Sequence, residues 1–342
     1  MIPTAHSAVT AAVVAFVSTV ALVPAVRAFC VQAQLFDSPG PLKTHRQPVP
    51  RLGGFAIFIG IAASAAIVDP QRTSSALLFF AALVLVWAAG FVDDLRSVAP
   101  ALRVAAQFAA GGLLWMGGWH LIIAGGSALS LVATGCWVVA LANAMNLLDG
   151  MDALAPGVAG IIAASYLALP GACLSPLGRA VAASMAGACG AFLIYNWPPA
   201  KIFLGDSGST ILGFGAAFLG LDFYRGNVPW SSSRFFPFFV AAVPLLDAVL
   251  AAFRRLLNRA PLLYGDRRHS YDILSAKGWP VRRTIAAQYA VTIALAAIGL
   301  RNVWSPSPLA RIALLAALGL LLFGAIRLGS LQTGTNHRTN PP

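Results

Sequence analysis

The sequence predicts an all-α, polytopic integral membrane protein of about eleven transmembrane helices. Three observations predict it. Of 342 residues, 58% are hydrophobic and only 10% charged, too little polar surface to cover a soluble globule of this size. The apolar residues are gathered into stretches of spanning length. The charges sit between those stretches and sort by side.

Residues 8–29 form the first stretch. Val26-Arg-Ala28 resembles a signal cleavage site, but no Lys or Arg precedes the run, so a retained first helix is expected. Further spans are expected over 52–68, 75–92, 101–117, 126–145, 155–170, 178–196, 207–222, 235–256, 284–300 and 309–328, with glycines blurring the boundary between the two spans within 101–145. Residues 1–328 then form a single membrane domain, and 329–342 read as a disordered polar tail. Cys30, Cys136, Cys173 and Cys189 are isolated, without metal-ligand spacing, and no disulfide or structural metal is expected.

Alternating the connections places 17 of the 23 Lys and Arg on one side, which should be cytoplasmic, with the N-terminus outside and the tail inside. All 11 acidic residues are Asp. Asp93, Asp94, Asp149, Asp152, Asp206, Asp266 and Asp272 fall on the basic side, and Asp69 and Asp222 fall clearly outside it. A cytoplasm-facing active site is expected, since ionisable groups beside a bilayer are costly and usually functional.

Asn143-Ala-Met-Asn146-Leu-Leu-Asp149-Gly-Met-Asp152 sets two amides and two carboxylates at the end of a long apolar run. On a continuous helix the outer pair would point about half a turn apart. Gly150 and Pro156 predict that the helix ends near Asp149, so that Asp152 folds back and the four polar side chains meet. The adjacent Asp93 and Asp94 repel each other unless a cation sits between them, or else they cap the next segment. Lys201-Ile-Phe-Leu-Gly-Asp206-Ser-Gly-Ser209 reads as a loop entering a helix. Asp206 or Ser207 could serve there as N-cap; alternatively the helix N-terminus and Lys201 form an anion site with Asp206 as a metal ligand. Lys43, His45, Arg46 and Arg51 crowd the first connection, which ends in Gly53-Gly54. The segment 254–283 holds eight Lys and Arg. Most read as membrane anchors, and Asp266-Arg267-Arg268-His269 is singled out for phosphate contact.

In this order, Lys43-Thr-His45 through Arg51-Leu-Gly-Gly54, Asp93-Asp94, Asn143 to Asp152, Gly205-Asp206-Ser-Gly-Ser209 and Asp266-Arg-Arg-His269 resemble the polyprenyl-phosphate N-acetylhexosamine-1-phosphate transferase superfamily. The resemblance covers most of the chain and implies a magnesium-dependent transferase of the inner (plasma) membrane, with Mn²⁺ an alternative ion. Such an enzyme moves a sugar 1-phosphate from a UDP-sugar to a polyprenyl phosphate such as undecaprenyl phosphate and releases UMP, starting a cell-envelope glycan. It implies Asp93, Asp94 and Asp206 for catalysis and metal, with His269 on phosphates. Asn146, Asp149 and Asp152 then fall on the nucleotide side, with Asn143, Lys43, His45, Lys201, Arg267 and Arg268 as further substrate contacts. No nucleic-acid partner is expected, and a homodimer is left open.

Two departures stand out. Asp152 is followed by Ala153 where the family often has Gly, and His269-Ser-Tyr271-Asp272 replaces a His-x-His-His cluster. Tyr271 and Asp272 are accordingly expected either to read sugar hydroxyls or to pack on the membrane surface and pair with Lys277 or Arg268. Two rival classes are an ion-coupled transporter, which needs an inverted repeat not visible here, and an aspartate-rich intramembrane prenyltransferase, which has no use for the Gly-Asp-Ser-Gly-Ser loop.

Overall fold

The computed structural model describes residues 5–38, 47–68, 73–121, 123, 126–226, 232–261 and 268–306, with isolated helical positions between 312 and 324. Twelve helices are described in full: α1 (Ala5–Gln32), α2 (Gly53–Val68), α3 (Ser74–Leu95), α4 (Pro100–Met116), α5 (Ser127–Leu148), α6 (Leu154–Leu167), α7 (Pro176–Asn196), α8 (Gly205–Arg225), α9 (Phe236–Val240), α10 (Ala242–Leu257), α11 (Ser270–Ala276) and α12 (Val281–Trp304). The only strands among the described residues are two short antiparallel pieces, Phe36–Asp37 and Val49–Pro50.

Ten of the eleven expected spans fall on described helices, and the boundary left blurred by glycines resolves at α4 and α5. The eleventh, the expected tail and the Lys43-Thr-His45 motif lie outside the described residues, apart from those isolated positions. α1, α3, α5, α7 and α12 are long and apolar enough to cross a membrane. Their outward faces carry Val9, Val13, Leu77, Val84, Val132 and Ile293, apolar side chains that lipid can cover.

One expectation is corrected. The span at 235–256 is not continuous, because Pro244 has no N–H to donate and its ring excludes the carbonyl of residue 240. The helix stops at Val240 and restarts at Ala242 as α10.

α8 is the central element. It packs against α2, α3, α5, α6 and α7, and every residue from Ser207 to Phe223 is buried. Twenty-one residues rise about 32 Å, close to the thickness of a bilayer core, so its two ends report the two faces of the bundle.

Candidate active site

At one end of the bundle the C-terminal ends of α3 and α5 meet the N-terminal ends of α2, α4 and α8. The first turn of any helix carries amides without intrahelical partners. For α8 the N-cap residue is Leu204, which has no side chain to accept them. Asp94, in the last turn of α3, does so instead: Oδ1 accepts from Asp206 N at 2.7 Å and Oδ2 from Ser207 N at 3.0 Å. Two glycines allow this approach. A Cβ on Gly90 would lie 2.6 Å from Ser207 Cα, and Gly205, at φ +77°, faces the Asp94 carboxylate where a side chain would stand. On the other flank Gly53 N and Gly54 N donate to Phe203 O and Leu204 O, bringing α2 onto the same turn.

This corrects two expectations. Neither Asp206 nor Ser207 is the N-cap, and the anion seated on the helix N-terminus is the protein's own Asp94 carboxylate. Lys201 lies exposed in the preceding loop.

Asp93 and Asp206 are left beside each other with a cation between them. Arg103, in the first turn of α4, reaches Asp93 Oδ2 at 2.6 Å and Asp206 Oδ1 at 3.1 Å with the same Nη1. Asp93 Oδ1 also accepts from Val98 N at 2.7 Å. The Asp206 side chain keeps 31% of its surface accessible and Arg103 21%, so this carboxylate–guanidinium group opens to solvent. Sequence reasoning had counted Arg103 only towards the charge asymmetry. One turn on, Gln107 Oε1 accepts from Asn143 Nδ2 at 2.6 Å. An i, i+4 pair of polar residues on a largely apolar helix was the signal that could have found both.

The Asn143 to Asp152 stretch is only partly gathered. α5 ends at Leu148 with Asp149 as its C-cap, as expected. Asn143 turns to α4, Asn146 Oδ1 accepts from Ser209 Oγ of α8 at 2.9 Å, and Asp152 Oδ2 accepts from Ala200 N at 3.0 Å. Three of the four side chains, Asn143, Asn146 and Asp152, therefore brace three different neighbours rather than meeting at one point. Asn196, not foreseen, ties the loops around it, accepting from Ala153 N and donating to Ile202 O. Asp149 is partly exposed but enclosed enough for desolvation, first, and then the charges of Asp206, Asp94 and Asp152 to push its carboxyl well above the usual carboxylate range.

α11 closes one side. His269 is its N-cap, 4% exposed, and Tyr271 stacks on the imidazole with ring centroids 5.5 Å apart. Tyr271 Oη donates to Leu147 O at 2.9 Å, next to the end of α5, and Asp272 Oδ2 accepts from His269 N at 3.3 Å. Tyr271 is thus buried against α5 rather than lying on the membrane surface, with its hydroxyl donating to Leu147 O. Asp272 completes a capping box. Arg268 is partly exposed just before the helix, and Arg267 lies outside the described residues. Arg254 and Arg255, expected as membrane anchors, are instead 2% and 8% exposed on the inner face of α10.

The donor set suits a hard cation. Among the described residues no three carboxylate, histidine or cysteine side chains form a complete metal cage. Magnesium does not ask for one, since it takes one or two carboxylates and fills its other positions with water and substrate phosphates. Asp206, with Asp93 beside it, fits that description.

Glycosyl transferase family 4 matches residues 76–224, from the start of α3 through α8. The chain is 30% identical to a phospho-N-acetylmuramoyl-pentapeptide-transferase of Moorella thermoacetica, the match covering 84% of this chain and 96% of that protein. It is 30% identical to a decaprenyl-phosphate N-acetylglucosaminephosphotransferase of Mycolicibacterium smegmatis, over 77% of this chain and 74% of the relative. To a probable undecaprenyl-phosphate N-acetylglucosaminyl 1-phosphate transferase of Bacillus subtilis it is 29% identical, over 83% and 81%.

Proposed function

The chain belongs to glycosyl transferase family 4, and on that premise we propose that it transfers a sugar 1-phosphate to a polyprenyl phosphate, starting a cell-envelope glycan. The donor is a UDP-sugar, and the reaction takes place at the cytoplasmic face of the inner membrane. The observation that carries this reading is the Asp93–Arg103–Asp206 group, open to solvent at one end of a membrane-spanning bundle.

An oxygen of the lipid phosphate attacks the sugar-bearing phosphorus of the donor. The bond from that phosphorus to the oxygen bridging to UMP breaks, its electron pair leaving on UMP. Both reactants are anions, so the protein's main task is to place positive charge and hold the reactants in line. Asp206 and Asp93 would hold a Mg²⁺ ion, which would supply neutralisation of the phosphate oxygens. Arg103, already between those carboxylates, swings between them and an incoming phosphate without leaving the site. Asp94 holds the first turn of α8 and so sets where Asp206 stands. Asn146 and Ser209 lock α5 to α8, bringing Asp149 up to the same opening. No side chain needs to act as base, because the second ionisation of a phosphate monoester lies near 6 and the nucleophile is ionised at neutral pH.

The test is product analysis. Membranes carrying the chain, given undecaprenyl phosphate and a panel of UDP-sugars, should yield a lipid with a sugar and two phosphates together with UMP. Release of UDP instead would mean that the sugar moves without its phosphate, and the proposal would fall.

A further inference from the structure

The buried carboxylate of Asp247 has no part in the reading above. It lies inside α10, 6% exposed, in a helix whose other face exposes Val249, Phe253 and Leu257. A carboxylate in that position needs a partner. Among the described residues it has two, from the N-cap and first residue of α11: Asp247 Oδ2 lies 2.5 Å from His269 Nδ1, and Oδ1 accepts from Ser270 N at 2.8 Å. An ionised carboxylate oxygen can only accept, so the bond between His269 and Asp247 Oδ2 is donated by Nδ1–H of the imidazole.

We infer that Asp247 is the positioning residue of His269, fixing its tautomer and ring direction so that the imidazole meets substrate phosphate through Nε2. The inference rests on the reading that His269 works on phosphate. With Nδ1–H held by Asp247, a phosphate oxygen can be met only through Nε2. Through that nitrogen the ring is a charge-assisted donor to phosphate whenever it is the imidazolium, and its bond to Asp247 is the same in either state. Orientation is fixed from the other side as well, since Tyr271 stacks on the ring and is itself tied to Leu147 O. The arrangement follows the general rule that a working histidine is oriented by a carboxylate on its far nitrogen.

Asp247→Asn is the informative change because it keeps the shape. Ser270 N still requires the amide oxygen, so the amide NH₂ is turned to Nδ1, which must then accept, and the tautomer set by the carboxylate is reversed. Transfer from UDP-GlcNAc to undecaprenyl phosphate should fall about 10- to 100-fold, while the melting temperature in detergent stays at the unaltered value. In a His269→Ala background the same change should cost nothing further, which a merely structural role would not give. Should Asp247→Asn melt early, the comparison of Asp247→Ala/His269→Ala with His269→Ala decides, read per folded molecule. Unaltered transfer in Asp247→Asn beside a crippled His269→Ala overturns the positioning role alone. Unaltered transfer in His269→Ala overturns it together with the reading of His269.

Discussion

Helix α8 carries an aspartate near each end, Asp206 and Asp222, and the bundle treats the two in opposite ways. Asp222 is 1% exposed, with Oδ1 accepting from Trp119 Nε1 and Oδ2 from Ser175 N, both at 2.8 Å. Arg225, one turn on, lies over the Trp119 ring at 5.0 Å. Each oxygen there has an uncharged donor fixed in the scaffold, so the group joins α8 to the α4–α5 and α6–α7 connections. Among the described residues Asp206 has one charged partner, shared with Asp93, on the partly exposed side chain of Arg103. A carboxylate enclosed by fixed donors holds the fold, whereas one that shares a movable cation is poised for exchange with a substrate. Asp94, its oxygens on two backbone amides, resembles Asp222 although it adjoins Asp93 in sequence.

The comparison breaks first at Arg103. Arg103→Ala leaves two facing carboxylates without their cation and should lower transfer about 100-fold, with half-saturating Mg²⁺ moving to lower concentration because the ion no longer competes with a guanidinium. A Mg²⁺ titration of initial rates checks both effects, and an unchanged requirement would mean that Arg103 stands apart from the metal position. Asp94→Asn comes next. It sets an NH₂ group against an amide N–H of α8, so it should cost about 1–3 kcal/mol of stability and roughly tenfold in transfer per folded molecule. Thermal melting and rates on the same sample separate the two, and loss of activity without loss of stability would make Asp94 a substrate group rather than a cap. The smallest effect belongs to Tyr271→Phe, which removes one hydrogen bond worth about 1 kcal/mol and leaves the ring stacked. Competition among UDP-GlcNAc, UDP-GalNAc and 6-deoxy analogues should keep its ranking, and an altered ranking would restore a sugar-reading role to the phenol.

Helix positions were legible because a spanning helix is written locally, in the length of its apolar run. The break at Val240 was missed, although Pro244 was in view, since an unbroken apolar run was weighted above one proline. The sorting of acids was legible too: alternation of sides placed Asp206 and Asp222 at opposite ends, where the structure has them. What a carboxylate does at its end was not. Whether Asp94 ligates or caps depends on the approach of α3 to α8, a tertiary fact set by Gly90 and Gly205. The pairings of Arg103 with Asp206 and of Asp247 with His269 were not legible for the same reason, because they span 103 and 22 residues.

The most direct test sets Asp206→Asn beside Asp222→Asn in one membrane preparation and follows label from [β-³²P]UDP-GlcNAc into extracted lipid, per folded molecule. Asp206→Asn should lose about 100- to 1,000-fold at an unchanged melting temperature, and Asp222→Asn should melt early while each folded molecule turns over normally. If Asp222→Asn lost the chemistry and Asp206→Asn kept it, the reaction would lie at the other end of α8.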